Sequence, residues 1–362
     1  MIIVYNFAMR TRIFVLLVGM FSGGASLFAQ TASEHFKFGT FELAGEQFVG
    51  IVLRDAYVVH LEKANLDFER SPLEVTLPMA RDMKELAGRY DLDLSPRIHR
   101  IVNALLSEDR LSGPNRRSYV HLLDAVTTLA PILYPNKILG ASGNYYQHVD
   151  EMEAFGFENP KAGRVPYLFM KPPTTTVVGD GDPILLPEGR TQIDWECELA
   201  VVIGQPAKNI PVEEAENHIF GYTIMMDVSD RGDENSEGGE LHRTQYGIDW
   251  LLGKSHDTHA PLGPFILPKE FVEDPHELGL KLTVNGEIMQ DSKGKYPSKE
   301  VFTANELLTH AASIMTLEPG DVISCGSPAG VGAGRDPQIF LEKGDVVVST
   351  IEQIGSLTNP VK

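Results

Sequence analysis

Two glutamates spaced two residues apart are the strongest sign of chemistry in the sequence. Glu196 and Glu198 stand at the head of the run CELAVVIG, which is apolar enough to form a buried strand. In a strand, residues i and i+2 point to the same face, so the two carboxylates would lie side by side and Cys197 would point away. Such a pair repels itself unless a cation lies between its members. The alternative is an exposed strand end with solvated glutamates, because carboxylates are mostly exposed.

A third carboxylate favours the cation. Asp227 follows the apolar run YTIMM at 222–226, which predicts a second buried strand ending at a carboxylate. Three hard oxygen ligands indicate Mg²⁺, Mn²⁺ or Ca²⁺ in preference to zinc. The sequence therefore predicts an oxygen-ligated divalent metal site, with positions left for water or substrate.

A histidine and a glutamate are candidates for proton transfer. His148 and Glu151 have i, i+3 spacing, so on a helix they would share a face and the glutamate could orient the imidazole to take a proton from water. A solvated surface pair is the alternative. A lone lysine such as Lys254 would ordinarily be a surface residue, although the preceding Trp250, Leu251 and Leu252 favour partial burial.

These residues need a framework, and the chain indicates two parts. Residues 36–61 predict a small β-meander, and residues 79–130 turn helical, with Pro96 near a helix start. Pro131 and Pro135 mark a boundary. Beyond it, many short apolar runs with frequent Gly and Pro predict a β-rich core and not a parallel doubly wound sheet.

One helix interrupts these strands. In TANELLTHAASIM, Thr303 and Glu306 fit a capping box. Its buried face is predicted at Leu307, Leu308, Ala311 and Met315.

Charge and the N-terminus restrict the function further. The 362 residues carry a formal net charge of −19, which argues against a nucleic-acid partner. Residues 1–29 place Arg10 and Arg12 before an apolar run and small residues, which predicts a signal peptide and an exported, periplasmic or secreted protein with no stable membrane insertion and a net charge of −21. An uncleaved anchor and a misassigned start of a cytoplasmic protein are the alternatives. Cys197 and Cys325 are predicted to be buried thiols, with a single bridge left open.

Beyond these patterns, the chain resembles the fumarylacetoacetate hydrolase family from about residue 137 to residue 361. The resemblance rests on the ordered succession of eight segments: GNYYQHVDEM (143–152), FMKPPTT (169–175), DWECELAVVIG (194–204), GYTIMMDVSDR (221–231), GKSHDTHAPLGP (253–264), VNGEIMQ (284–290), LEPGDVISCGSPAGVG (317–332) and FLEKGDVV (340–347).

This resemblance implies a fold and an assembly. We expect an α+β, β-rich structure, a mixed β-sandwich roll at residues 134–362, behind a small α/β accessory domain at residues 30–133. The family is usually dimeric and binds one divalent cation, so a homodimer with Mg²⁺ is expected, Mn²⁺ and Ca²⁺ being the other candidates.

It also implies roles for individual residues. The matching positions give the metal ligands as Glu196, Glu198 and Asp227, and the catalytic residues as His148 and Glu151, a dyad on a mobile lid, together with Lys254. The substrate-binding residues implied are Tyr145, Lys171, Arg231 and Ser327.

The chain also departs from the family pattern. Many relatives read V-S-A-R-D where this chain has Val228-Ser229-Asp230-Arg231-Gly232, followed by an acidic loop at 233–240. His256 and His259 replace common aromatic residues. They are either pH-sensitive groups near the site or polar loop residues.

The expected reaction is metal-dependent hydrolysis of a carbon–carbon bond in a small 1,3-dioxo or 2-oxo acid, such as an acylpyruvate. Two alternatives keep the same site: isomerisation of a hydroxymuconate-type dienoate and decarboxylation of oxaloacetate. A protein that binds a dicarboxylate or a metal without turnover is the non-enzyme alternative, although pure binding does not need a general base.

Overall fold

The computed structural model describes residue 32 and residues 34–151, 165–232, 243–244, 247–295 and 297–362. The predicted signal peptide, residues 1–29, and the acidic loop at 233–240 lie outside the described residues. Export therefore stays a prediction. Within the described part, no helix combines the length and the apolar character needed to cross a membrane.

The N-terminal part is a small antiparallel sheet with three helices. Its elements are β1 (Lys37–Leu43), β2 (Glu46–Leu53), β3 (Tyr57–His60), α1 (Leu61–Phe68), α2 (Met83–Arg89), a π-helical turn (Tyr90–Leu94), α3 (Ser95–Ser107), a 3₁₀ turn (Gly113–Asn115), β4 (Val120–Leu122), a 3₁₀ turn (Leu123–Ala125) and β5 (Thr127–Leu129).

The sequence predicted this part in outline. The meander over residues 36–61 is confirmed, and β1 turns into β2 at Gly45, whose φ of +83° suits glycine. The helical prediction for residues 79–130 is right only as far as Ser107. Beyond it, β4 pairs with β3 and β5 pairs with β1, because the β-branched residues there favour an extended sheet edge.

The C-terminal part holds the remaining elements. They are β6 (Ile138–Ser142), α4 (Tyr146–Glu151), β7 (Tyr167–Lys171), β8 (Val177–Val178), β9 (Ile193–Asp194), β10 (Cys197–Ile203), a 3₁₀ segment (Val212–His218), β11 (Ile219–Met226), β12 (Ser229–Asp230), β13 (Arg243–Thr244), β14 (Gly247–Ile248), α5 (Trp250–Lys254), β15 (Ala260–Pro268), 3₁₀ turns (Lys269–Phe271 and Pro275–Glu277), β16 (Leu280–Val284), β17 (Glu287–Asp291), α6 (Ala304–Ile314), β18 (Val322–Ser324), β19 (Val346–Ile351) and β20 (Gly355–Pro360).

Most strands belong to one twisted, mixed sheet of 12 strands, whose main path runs β4-β3-β2-β1-β15-β11-β10-β18-β6-β7. A second sheet of 4 strands has the order β17-β16-β19-β20. The expected α+β, β-rich fold class is confirmed. The helix α6 has the predicted capping box between Thr303 and Glu306, and it buries Leu307, Leu308 and Ala311.

The large sheet runs across the predicted domain boundary. Strand β1 pairs antiparallel with β15, with Phe38 opposite Ile266. The Phe38 ring also stacks on Phe220 of β11, with 5.8 Å between ring centroids. The boundary between residues 133 and 134 stays a prediction, but the N-terminal strands and the C-terminal strands share one sheet and one apolar cluster.

Strands β10 and β11 position the candidate site. Both are buried along their whole length and pair antiparallel, with Cys197 opposite Met226. The start of β10 therefore lies beside the end of β11. Their apolar residues bury both faces, so the polar residues that flank this end are carried into the interior.

Candidate metal centre and active site

Three buried carboxylates meet where β10 begins and β11 ends. Oxygen atoms of Glu196, Glu198 and Asp227 all lie within 4.8 Å of one another. The amide of Asp227 donates to the carbonyl of Glu196 at 2.9 Å, which fixes the two strand ends together. The predicted cluster is present, and Cys197 points away from it into the apolar core, as the strand alternation requires.

Three buried cations surround two of these carboxylates. Lys254 Nζ lies 2.6 Å from Asp227 Oδ2 and 3.3 Å from Glu196 Oε1. Lys171 Nζ donates to the other oxygen of Asp227, and Arg231 donates to Glu196. Burial would raise the pKa of Glu196, but Lys254 and Arg231 outweigh it and lower that pKa.

Glu198 has a different environment. It accepts hydrogen bonds from the Ser324 hydroxyl and the Gly326 amide, and it forms no ion pair with the described cations. Burial raises the pKa of Glu198 well above its usual range, and the charges of Asp227 and Glu196 raise it further. The buried group thus contains a carboxyl without an ion-pair partner in the described chain, and burial favours its protonated form unless positive charge is added.

A count of the buried charges tests whether a metal fits. Asp194, Glu196, Glu198 and Asp227 are four buried carboxylates, whereas Lys171, Lys254 and Arg231 are three buried cations. A divalent cation among the oxygen atoms would compensate the excess negative charge, and an all-carboxylate donor set suits a hard cation. The residues fit a divalent metal.

The two lysines beside Asp227 differ in their acidity. Burial lowers the pKa of Lys171, and Asp227 offsets this only in part. Burial acts in the same direction on Lys254, but the charges of Asp227 and Glu196 outweigh it and raise its pKa. Lys254 is therefore a buried ammonium group, and its burial agrees with the expectation from the preceding apolar residues.

The candidate dyad lies on α4. His148 is buried, and its Nδ1 lies 3.4 Å from Glu151 Oε2. The other oxygen of Glu151 accepts the Gly330 amide at 2.7 Å, which holds the carboxylate in place. A hydrogen bond from Nδ1–H to Glu151 leaves Nε2 of the imidazole as a proton acceptor.

The four predicted substrate-binding residues have partners within the protein. Lys171 also donates to the carbonyl of Val228 at 2.9 Å. Ser327 accepts from Gln290 Nε2 at 2.8 Å, and Tyr145 donates to Glu300 at 2.8 Å. Their roles toward a substrate stay predictions.

Arg231 was expected to pair with a substrate carboxylate, and the structure gives it two internal partners. Its Nε donates to Asp194 at 3.1 Å, while a terminal nitrogen donates to Glu196. Arg231 is 5% exposed, so these ion pairs are shielded from water. In this arrangement the guanidinium holds a metal-site carboxylate in place.

The sequence predicted no role for Asp194, whose carboxylate joins a distant loop to the edge of the site. Its carboxylate accepts from the amides of Gly332 at 2.7 Å and Ala333 at 3.1 Å, as well as from Arg231. Burial raises the pKa of Asp194, although Arg231 opposes this. No local pattern could have revealed this role, because the loop it binds lies about 140 residues away in the chain.

Ser229 was also missed, although a signal existed. Its hydroxyl donates to Glu196 at 2.9 Å and accepts from Lys254 at 2.5 Å. It lies two residues after Asp227, which is the spacing that puts residues on one face of an extended chain.

The two histidines that depart from the family pattern lie next to each other, with 5.2 Å between ring centroids. His259 is buried, and its Nε2 donates to the Leu185 carbonyl at 3.1 Å. Burial, with the nearby charge of Lys171, lowers the pKa of His259 to about 3. It stays neutral near pH 7, which argues against a pH-sensitive role there.

Cys197 and Cys325 are free and buried, as predicted.

Comparison with known proteins agrees with this geometry. Residues 137–362 match the model of the fumarylacetoacetate (FAA) hydrolase C-terminal family. The chain is 40% identical over 236 residues to a mitochondrial oxaloacetate tautomerase of Xenopus laevis, covering 65% of this chain and 68% of the relative. It is 39% identical over 236 residues to a mitochondrial oxaloacetate tautomerase of Homo sapiens, covering 65% and 69%.

Solved structures resemble the chain over a longer stretch. A fumarylacetoacetate hydrolase from Exiguobacterium antarcticum has a TM-score of 0.65 and 30% identity, covering 90% of this chain and 99% of that one. A maleylpyruvate hydrolase from Sphingobium sp. SYK-6, solved with manganese(II) and pyruvate, has a TM-score of 0.63 and 26% identity, covering 90% and 98%. The manganese complex of that relative supports a divalent metal at the carboxylate cluster. Because the family model matches well over half of this chain, the chain belongs to the fumarylacetoacetate hydrolase family.

Proposed function

We propose that the chain catalyses proton transfer at the carbon beside the carbonyl of a small 2-oxo acid, with the keto–enol exchange of oxaloacetate as the first reaction to test. One observation carries the proposal: a buried ammonium, Lys254, lies 2.6 Å from Asp227 at the edge of a three-carboxylate metal site. A metal and an ammonium placed together are suited to stabilising an oxygen that gains negative charge. The choice of oxaloacetate rests on the relatives that bear the name oxaloacetate tautomerase.

Each group has a part in this proposal. A divalent cation held by Glu196, Glu198 and Asp227 would act as a Lewis acid toward the carbonyl oxygen. The charges of Asp227 and Glu196 favour the protonated form of Lys254, and its ammonium group would donate a hydrogen bond to the same oxygen. His148 carries the proton to or from the neighbouring carbon, and Glu151 orients its ring.

Hydrolysis of a carbon–carbon bond, the expectation from sequence, is the second candidate. The His148–Glu151 pair favours it, because Glu151 is fixed by the Gly330 amide and the imidazole could deprotonate water as well as carbon. The maleylpyruvate hydrolase among the structural relatives supports the same possibility. Isomerisation and decarboxylation use the same site and differ in their products.

The metal itself is proposed to be Mg²⁺ or Mn²⁺. Both prefer oxygen ligands, and the three carboxylates supply only oxygen. Calorimetric titration of the chelator-treated protein with each ion would rank them. The proposal predicts binding of both ions and its loss in Glu196→Gln.

The central experiment adds enol oxaloacetate to purified protein with Mn²⁺ and follows the loss of enol absorbance against the buffer-catalysed rate. Total oxaloacetate, assayed with malate dehydrogenase, and pyruvate, assayed with lactate dehydrogenase, separate tautomerisation from decarboxylation. A parallel reaction with an acylpyruvate tests hydrolysis.

The matched controls are Glu196→Gln, expected to be inactive, and His218→Phe, a half-buried histidine on the far 3₁₀ segment, expected to be fully active. Wild-type rates equal to buffer with both substrates would refute the proposed function.

A further inference from the structure

Strand β12 presents its residues to two different faces. Ser229 and Arg231 both reach Glu196, whereas Asp230 between them points the other way, as alternation along an extended chain requires. Asp230 is fully buried, on the side of the chain opposite to Glu196. Its partners therefore bear on the backbone that carries Arg231.

Two side chains from separate loops bind this carboxylate. Arg190, which precedes β9, donates Nε to Asp230 Oδ2 at 2.7 Å and Nη2 to Oδ1 at 3.1 Å. His256, which follows α5, donates Nε2 to Oδ2 at 2.9 Å. The amide of Gly232 adds a bond to Oδ1 at 2.9 Å. Asp230 thus ties three chain segments together.

The contact between Asp230 and His256 links the segments that carry two of the three cationic groups of the site, Lys254 and Arg231. His256 stands two residues after Lys254, and Asp230 stands one residue before Arg231. Arg231 and Lys254 both donate to Glu196, on the side of the chain opposite to Asp230. In the sequence, Asp230 and His256 are two separate departures from the family pattern, but in the structure they are hydrogen-bonded to each other.

We propose that Asp230 and His256 form a positioning pair, anchored by Arg190, that holds Arg231 and Lys254 in place against Glu196 and Asp227. The role in turnover rests on the proposed function. The pair does not touch the reacting atoms, so it acts through the placement of other groups. Displacing such groups by about 1 Å is enough to reduce catalysis by about 100-fold.

The first test uses variants that keep or remove the donor. His256→Phe keeps a ring but loses the bond to Asp230, whereas His256→Gln offers an amide nitrogen near the place of Nε2. We expect kcat for the oxaloacetate exchange to fall about tenfold in His256→Phe with KM within about twofold, and to return to within about threefold of wild type in His256→Gln. His218→Phe is the matched control and should leave both unchanged.

The second test does not depend on activity. The amides of Arg231 and Gly232 donate to Gln192 and Asp230 at 2.8 and 2.9 Å, so their hydrogen exchange reports how firmly β12 is held. In peptides covering residues 227–232, His256→Phe should exchange at least about fivefold faster than wild type. His256→Gln and His218→Phe should match wild type.

The outcomes separate the two proposals. Unchanged exchange in His256→Phe overturns the positioning pair, even if kcat falls. Faster exchange with unchanged kcat in an active wild type also overturns it, as does His256→Gln behaving like His256→Phe. If wild type turns over neither substrate, the proposed function fails, and the exchange result alone decides whether the pair holds β12.

Discussion

Two groups of charges in the described part of the chain, one around the buried Arg97 and one at the metal centre, differ in how their charges balance. In the N-terminal part, Arg97 and Arg100 face Glu69 and Glu74, so the charges balance. Arg97 also donates to Asn65 and to the Val75 carbonyl, each at 2.7 Å.

The metal centre has the opposite character. Its four buried carboxylates exceed its three buried cations, and Glu198 forms no ion pair with the described residues. A buried charge without a partner is costly, so it persists where a ligand supplies the missing charge. The balanced group stabilises the fold, whereas the unbalanced group is prepared to bind. Four predictions test this contrast, from the largest expected effect to the smallest.

Glu198→Gln should have the largest effect and should separate activity from stability. Removing a metal ligand is expected to reduce kcat/KM by about 1,000-fold, or about 4 kcal/mol. The metal-free protein should become more stable by about 1 kcal/mol, because the cost of burying this carboxyl, which raises its pKa, is removed. Chemical denaturation with chelator present measures the second change. A variant destabilised without metal would contradict the contrast.

Arg97→Met should lower stability and leave activity unchanged, the reverse of what is expected for Glu198→Gln. It removes a buried guanidinium that pairs with Glu69 and donates to Asn65 and the Val75 carbonyl, which is expected to cost about 2–3 kcal/mol of unfolding free energy. The kcat of the protein that remains folded should stay within about twofold of wild type, since the group lies away from the metal centre. Arg81→Met, which removes an exposed ion-pair partner of Glu85, is the matched control and should leave the unfolding free energy almost unchanged.

His148→Asn tests whether the histidine beside the carboxylate cluster acts in proton transfer and not in metal binding. Loss of the proton-transfer group should reduce kcat by about 100-fold and leave Mn²⁺ affinity within about threefold. Steady-state kinetics and calorimetry measure the two quantities. A large loss of metal affinity would mean that His148 belongs to the metal site and not to the proton-transfer apparatus.

His259→Gln should give the smallest effect, visible only in acid. Burial lowers the folded-state pKa of His259 to about 3, below the value near 6.5 of an unfolded chain. The unfolded state therefore binds the proton first, and wild-type stability falls as the pH drops from about 6.5 toward 3. The Gln variant has no such proton, so its unfolding free energy between pH 6 and pH 4 should fall less, by about 1–2 kcal/mol. An equal fall in unfolding free energy between pH 6 and pH 4 for wild type and His259→Gln would contradict this prediction.

Local patterns predicted much of the site. The i, i+2 spacing of Glu196 and Glu198 and the apolar runs beside them indicated a shared face at a buried strand end, and that arrangement is present. The capping box of α6 depends on residues three apart and is also present. Predictions of this kind hold because strand alternation and helix caps are local properties of the backbone.

Other features followed from distant pairing and escaped prediction. The strands β4 and β5 were expected to be helical, because their edge pairing with β3 and β1 is not visible in local spacing. Asp194 binds a loop far along the chain and also holds Arg231, whose predicted role toward a substrate stays a prediction.

The sequence alone determined the ligand chemistry: three carboxylates at the ends of two apolar runs, a histidine–glutamate pair and a lysine, in the order of one family. Only the tertiary structure decided how their charges add up. The excess carboxylate at Glu198 and the contact of Asp230 with His256 depend on which strand ends and loops meet. Electrostatic balance is a property of distances and burial, and antiparallel pairing and loop packing set both.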